Sequence, residues 1–204
     1  MENFNLLAKD YDTEERIERT KSISDEIRLH IVDGHIESVL EYGCGTGLVG
    51  FGLIDDVKTL LFVDSSPDMI EQVKQKLIGF GKPADNAICC DFMTAVPENI
   101  NVDCIIASLV LHHIMDTETI LSRLYDVLHS EGRILVVDID TDDGSFHANR
   151  SGFDGHNGFD QSTLIGLAAE AGFRKADIKT FYYGSKIVEG INKPYSLFIL
   201  DAVK

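Results

Sequence analysis

VLEYGCGTGLVGFG, residues 39–52, decides how this chain is to be read. Its first residues continue an apolar run over 38–42 that is short and stops at glycine, as a buried strand does. The five glycines that follow permit φ > 0 and let the backbone come close to a ligand. A helix starting after them would offer its free N–H groups to a polar or anionic group. Two glycine patterns overlap here. Gly45, Gly47 and Gly50 spell GxGxxG, the mark of a nicotinamide or flavin dinucleotide site, whereas Glu41, Gly43, Gly45 and Gly47 spell ExGxGxG. A tight strand-to-helix turn needs glycine anyway, so the loop alone does not choose between them.

Outward from the loop, strands and helices alternate. Upstream, residues 13–32 read as a helix, with Glu14 and Glu15 in the first turn and Ile23, Ile27 and Ile31 as an apolar stripe. Downstream, a strand over 59–63 stops at Asp64. Ser66 caps a helix that has Pro67 at its first position and Ile70, Val73 and Leu77 on its inner face. A weaker strand over 86–90 and a nearly all-apolar strand over 102–109 follow; the latter suits a central parallel strand covered on both faces. Then come a helix over 117–129, a strand over 133–138, a long polar and glycine-rich loop over about 140–158, and a helix capped by Asp160. Strands over 175–183 and 195–203, joined by a polar link with Gly190 and Pro194, suggest an antiparallel pair. The class is α/β with a mainly parallel sheet, in one domain spanning 1–204 with an N-terminal helical segment over about 1–35.

In such sheets ligands bind beyond the carboxyl ends of the strands, where the strand order reverses. The first of these ends is the glycine loop. The second is Asp64, whose carboxylate can accept from both hydroxyls of a ribose. The third is Asp91-Phe92, an acid suited to an amino group on a purine and an aromatic suited to its ring face. The fourth runs into ASLVLHHI, where Ala107 and Ser108 present a small uncharged wall before His112 and His113. The first three would all serve an adenosine, so a nicotinamide dinucleotide and S-adenosylmethionine both qualify.

Composition narrows the field. The net charge is −16, without a basic patch, so long nucleic acid is not an expected partner. The four cysteines, Cys44, Cys89, Cys90 and Cys104, form no CxxC pair and read as thiols in a reducing compartment. The opening MENFNLLAKDYD has no basic n-region or long apolar run, and no stretch reaches the length of a membrane span, so a cytoplasmic location is expected.

Together these segments resemble the class I S-adenosylmethionine-dependent methyltransferases over nearly the whole chain. VLEYGCGTG at 39–47 is similar to that family's first motif, with Glu41 in place of the commoner Asp; FVDSSPDMI at 62–70 is similar to its second and CDF at 90–92 to its third. DCIIASLVLHHI at 103–114 and LHSEGRILVVD at 128–138 resemble its fourth-strand and fifth-strand segments. The resemblance implies a Rossmann-like seven-stranded sheet with helices on both faces and a C-terminal antiparallel hairpin. A nicotinamide Rossmann domain would instead continue in parallel. It further implies Glu41, Gly43, Cys44 and Gly45 around the methionine moiety and ribose, Asp64 on the ribose diol, and Ser65 and Met69 beside the adenosine. Asp91 and Phe92 would contact adenine, and Ser108 would lie near the methionine amino group or the sulfonium. Tyr11, in AKDYD, would be an aromatic closing over the cofactor.

The methyl acceptor is read from the fifth-strand insertion, FHANRSGFDGHNGFD, whose mixed aromatic and polar side chains suit a small molecule. His113, Phe146, His147 and His156 are the candidate substrate residues; His113, His147, His156 and Tyr11 are candidates for a general base, should one be needed. No NPPY-like motif follows the fourth strand. No metal is expected: DIDTDDG at 138–144 has Asp143 where a calcium loop needs glycine and Asn149 where it needs its last Glu, and Ala107-Ser108 carries no acid. Two rival classes stay open, an NAD(P)-dependent oxidoreductase on the GxGxxG parse and a non-catalytic module that keeps the cofactor fold. The acceptor and the oligomeric state are not legible.

Overall fold

A computed structural model describes residues 12–33, 35–148 and 152–204, which form a seven-stranded sheet in the order β3-β2-β1-β4-β5-β7-β6. The strands are β1 Ser38–Tyr42, β2 Thr59–Asp64, β3 Ala87–Cys89, β4 Val102–Ser108, β5 Leu128–Ile139, β6 Arg174–Val188 and β7 Ile191–Val203. β1 to β5 run parallel, and β7 inserts antiparallel between β5 and β6. The helices are α1 Glu14–Asp33, the one-turn α2 Leu48–Phe51, α3 Pro67–Gly79, α4 Thr117–Asp126 and α5 Gln161–Glu170.

Alternation along the central strands divides the interior into two layers. Cys104 and Ile106 of β4, with Leu135 and Val137 of β5, join Ile23, Ile27 and Ile31 of α1 and Ile70, Val73 and Leu77 of α3. Ile105 and Ala107, with Ile134 and Val136, face the other way onto Ile120, Leu121 and Leu124 of α4 and Leu164 and Ala168 of α5. The strands look uniformly apolar because both faces are covered. The helix starts follow local rules: Ser66 Oγ accepts from Met69 N at 3.3 Å ahead of Pro67, and Asp116 and Asp160 cap α4 and α5.

Several boundaries differ from the expectation. α4 stops at Asp126, not at 129, because Leu128 already pairs with Val102. The residues between Leu128 and Arg133 then bulge, with Glu131 at φ 66, before regular pairing resumes at Cys104↔Arg133. The C-terminal hairpin is longer than expected: Val188 faces Ile191 across a turn of Glu189 and Gly190, at φ 50 and 77. Pro194 therefore lies inside a strand. It is tolerated because β7 meets β6 there while its pairing with β5 begins at Leu197, so the missing N–H falls on an unpaired side.

Candidate cofactor and active site

The connections of β1 and β4, which are neighbours, leave toward opposite ends of the sheet, so a crevice opens beyond their carboxyl ends. Gly43, Gly45 and Gly47 hold φ of 65, 54 and 79 in the loop after β1. A Cβ on Gly43 would stand 2.2 Å from Val110 Cγ2, so that glycine admits the loop after β4. In that second loop Leu109 itself takes φ 52, a left-handed conformation costly for a residue with a Cβ.

The crevice holds a cavity of about 480 Å³ lined by Gly43, Gly45, Asp64, Ser65, Met69 and Asp91, together with Tyr42, Met93, Val110, Ile114 and His113. A recess of about 80 Å³ shares Gly43, Gly45 and Leu109 with it and adds Glu41, Cys44, Ser108, Arg16 and Arg19. Nine of the eleven expected cofactor residues thus meet at these two walls, all but Phe92 and Tyr11.

Asp64 clasps the loop. Its Oδ2 accepts from Gly45 N and its Oδ1 from Ser66 N, both at 2.8 Å. Burial raises its pKa, against the lowering effect of these backbone N–H groups. Helix capping is left to Ser66. Glu41 is buried and its Oε2 accepts from Gly50 N at 3.0 Å. Burial pushes its pKa up to about 8, so it is largely neutral at pH 7. Gly50 is a packing glycine: a Cβ there would meet Glu41 Oε2 at 2.4 Å and Phe62 Cε1 at 2.5 Å. Burial also raises the Cys44 thiol, which stays protonated. Asp91 accepts from Met93 N at 2.8 Å and holds the turn after β3.

Phe92 is elsewhere. Its side chain is fully buried, packed on Tyr42 at 5.2 Å between ring centroids, and Met93 takes the place at the cavity wall. Tyr11 lies outside the described residues. The segment after it is fastened to the loop, since Lys76 Nζ donates to Asp12 Oδ2 at 2.8 Å and to the Thr46 carbonyl at 2.9 Å.

Of the candidate substrate residues, His113 lines the cavity. Phe146 packs edge-on to Tyr195 at 4.9 Å, and His147 is buried against Phe153. His156 is a strut: its backbone N donates to the His112 carbonyl at 2.7 Å and its ring Nε2 to the Ile114 carbonyl at 3.0 Å, holding the insertion against the β4 loop. Sequence reasoning missed Arg16 and Arg19, brought in by α1, and the buried pair in which His112 Nδ1 donates to Asp138 Oδ1 at 2.6 Å. The signal for that pair was an acid at the end of the fifth apolar strand, where nothing but a partner stabilises a buried charge.

Comparison with known proteins agrees with this geometry. A family model described as a methyltransferase domain matches residues 40–134, from β1 into β5. An uncharacterized methyltransferase of Schizosaccharomyces pombe is 26% identical over 157 residues, covering 69% of this chain and 55% of that protein. The chain spans about half the length of the curated relatives it matches. Among solved structures, an S-adenosylmethionine-dependent methyltransferase from Clostridium acetobutylicum superposes with a TM-score of 0.64 at 15% identity, covering 97% of this chain and 98% of that one. Magnesium protoporphyrin IX methyltransferase from Synechocystis, with bound S-adenosylhomocysteine, gives 0.63 at 19% identity over 90% of this chain and 83% of that one. At such identities the likeness is one of fold. The family model and the glycine loop fall on the same residues, so over 40–134 the chain is similar to methyltransferase domains, and over most of its length it shares their fold.

Proposed function

We propose that this protein binds S-adenosylmethionine in the crevice beyond β1 and β4 and methylates a small organic acceptor. One observation carries the reading: the glycine loop, Asp64 and Asp91, from three successive strand ends, line one cavity of about 480 Å³, a size suited to a small-molecule cofactor. A second supports the fit. Arg19 Nε is buried and has no hydrogen-bond partner among the described residues, and Arg19 lines the recess, where a carboxylate would satisfy it.

S-adenosylmethionine supplies an electrophilic methyl group on a sulfonium. The chain's own residues supply position and exclude water. Asp64 has lone pairs beyond those used by Gly45 N and Ser66 N, and these are available to a ribose diol. Asp91 and Ser65, with Met69 and Met93, form the polar and apolar walls for adenine. Glu41, Cys44, Ser108, Arg16 and Arg19 surround the methionine end. Leu109, Val110 and Ile114 keep the reacting region apolar, and His113 is the titratable side chain placed against the acceptor. Phe146, His147 and the rest of the insertion over about 140–158 form the acceptor side of a single domain spanning 1–204. The net charge of −16 favours a small acceptor over nucleic acid. No helix among the described residues is long and apolar enough to cross a membrane. The free cysteines support a reducing, cytoplasmic setting.

A thermal-shift comparison tests the cofactor. Stabilisation by S-adenosylhomocysteine, and none by NAD(H) or NADP(H), is the expected result; the reverse pattern overturns the proposal. Formation of S-adenosylhomocysteine across a metabolite panel then separates an enzyme from a binding module.

A further inference from the structure

Three histidines meet beside the cavity, and the described residues hold no other such cluster of three metal-ligating side chains. His112, His113 and His147 place one ligand-capable atom each within 4.8 Å of the others. Their ring centroids lie 4.2, 4.8 and 5.6 Å apart. His112 and His147 are buried and His113 is half-buried at the cavity wall. Two separate segments bring them together: the one-turn helix Leu111–His113 after β4 and the one-turn helix Ser145–His147 after β5.

We infer that these three imidazoles form a site for one divalent transition-metal ion of the zinc type, with its fourth position left to the methyl acceptor. The last clause rests on the proposed methyltransferase activity; the metal site itself does not. Imidazole donors suit zinc, cobalt, nickel and copper and disfavour magnesium and calcium. Three protein ligands and an open position are the usual form of a catalytic zinc site. Zinc-to-nitrogen bonds of about 2.0–2.1 Å at tetrahedral angles set the nitrogens about 3.4 Å apart, so ligand atoms that lie within 4.8 Å of one another must draw together to hold the ion.

The surroundings are those of a ligand set. Asp138 is fully buried and its Oδ1 accepts from His112 Nδ1 at 2.6 Å, which fixes the tautomer and leaves Nε2 for a metal. Its Oδ2 accepts from His112 N at 3.2 Å, so the carboxylate orients both the ring and the backbone. Phe153 lies parallel to His147 at 3.7 Å and edge-on to His113 at 5.5 Å, and Phe146 lies edge-on to His147 at 4.9 Å. These rings form an apolar shell that limits solvent access. The metal-free expectation rests on the acids at 138–144 and on the uncharged fourth strand end, neither of which belongs to this set of three histidines. His147, distant in sequence from His112 and His113, carried no ligand spacing to find.

Protein without a histidine tag, stripped with a chelator, is titrated with Co²⁺. The expected result is one equivalent bound, with the intense visible d–d absorption of a four-coordinate nitrogen site, displaced by Zn²⁺. His113→Ala and His147→Ala should each weaken Co²⁺ binding at least about tenfold, while His129→Ala, at an exposed position, should leave it unchanged. Absence of the d–d bands in the wild type, or equal Co²⁺ affinity in all three variants, overturns the site. If the two cluster variants fail to fold, X-ray absorption of the Zn²⁺-loaded wild type decides: a shell of three imidazole nitrogens supports the site and fewer overturns it. S-adenosylhomocysteine binding is measured on the same samples. Co²⁺ held by a protein that ignores this ligand would keep the metal site and remove the proposed function.

Discussion

Asp64→Ala removes a carboxylate that serves the loop and, in the proposed reading, the cofactor. In the free protein the lost partners are Gly45 N and Ser66 N, each 2.8 Å from an oxygen. Leaving a buried backbone donor without an acceptor costs about 1–3 kcal/mol, and these two are only part-buried, so water can replace part of what Asp64 supplies. The true cost should fall at the lower end, because burial already disfavours this charge, as its raised pKa records. About 1 kcal/mol in a chain of this size lowers Tm by about 2–4 °C. The cofactor loses more: hydrogen bonds to a charged group contribute about 1.5–3 kcal/mol, which corresponds to an affinity for S-adenosylhomocysteine about 10–100-fold weaker. Calorimetric titration measures the affinity and urea unfolding measures the stability. Ser66→Ala is the comparator. It deletes the cap on Met69 N at a cost of about 0.5–2 kcal/mol and touches no expected ribose contact. If Asp64→Ala weakens S-adenosylhomocysteine binding no more than Ser66→Ala does, the carboxylate is a clasp for the loop and the ribose assignment is wrong.

Other expectations follow from the same site. Glu41 has a folded-state pKa of about 8, against about 4.3 in an unfolded chain. The folded state therefore holds an extra proton between those values, and Glu41's contribution to stability falls as pH rises through that window, by at most about 1.4 kcal/mol per pH unit. Glu41→Gln, which keeps an acceptor for Gly50 N, should flatten that slope and be more stable than wild type at pH 8 in urea unfolding; parallel pH profiles would refute the burial argument. Gly43→Ala adds a Cβ 2.2 Å from Val110 Cγ2 at φ 65 and should destabilise by about 2–5 kcal/mol. Adding Val110→Ala should recover the packing part and leave the backbone part, a non-additivity that a double-mutant cycle measures. Asp160→Ala removes the cap on Thr163 N, at 2.9 Å, and should cost about 0.5–2 kcal/mol in thermal unfolding with unchanged S-adenosylhomocysteine affinity.

What was legible in the sequence was local. The caps Ser66 and Asp160 act on neighbours three residues away. The strand-end acids Asp64 and Asp91 are marked by the apolar runs they terminate. Boundaries failed where a distant partner decided them. The segment from Gly184 to Pro194 reads as a link because its residues are mostly exposed and polar, yet β6 and β7 pair through it, and Pro194 survives because its bare side faces no strand. In the site, Phe92 and Met93 are adjacent in sequence, and only the turn held by Asp91 shows which one reaches the cavity.

By itself, the sequence determined the order of the elements, the glycine loop and the acids at successive strand ends, because each of these is imposed by period, capping or backbone conformation within a few residues. The tertiary structure alone decided what stands around the loop. Arg16 and Arg19 arrive on α1, Val110 fills the space left by Gly43, and Asp138 closes on His112 while His147 swings in from the fifth-strand insertion. Those meetings depend on how helices pack on two faces of a twisted sheet, and no spacing along the chain encodes them.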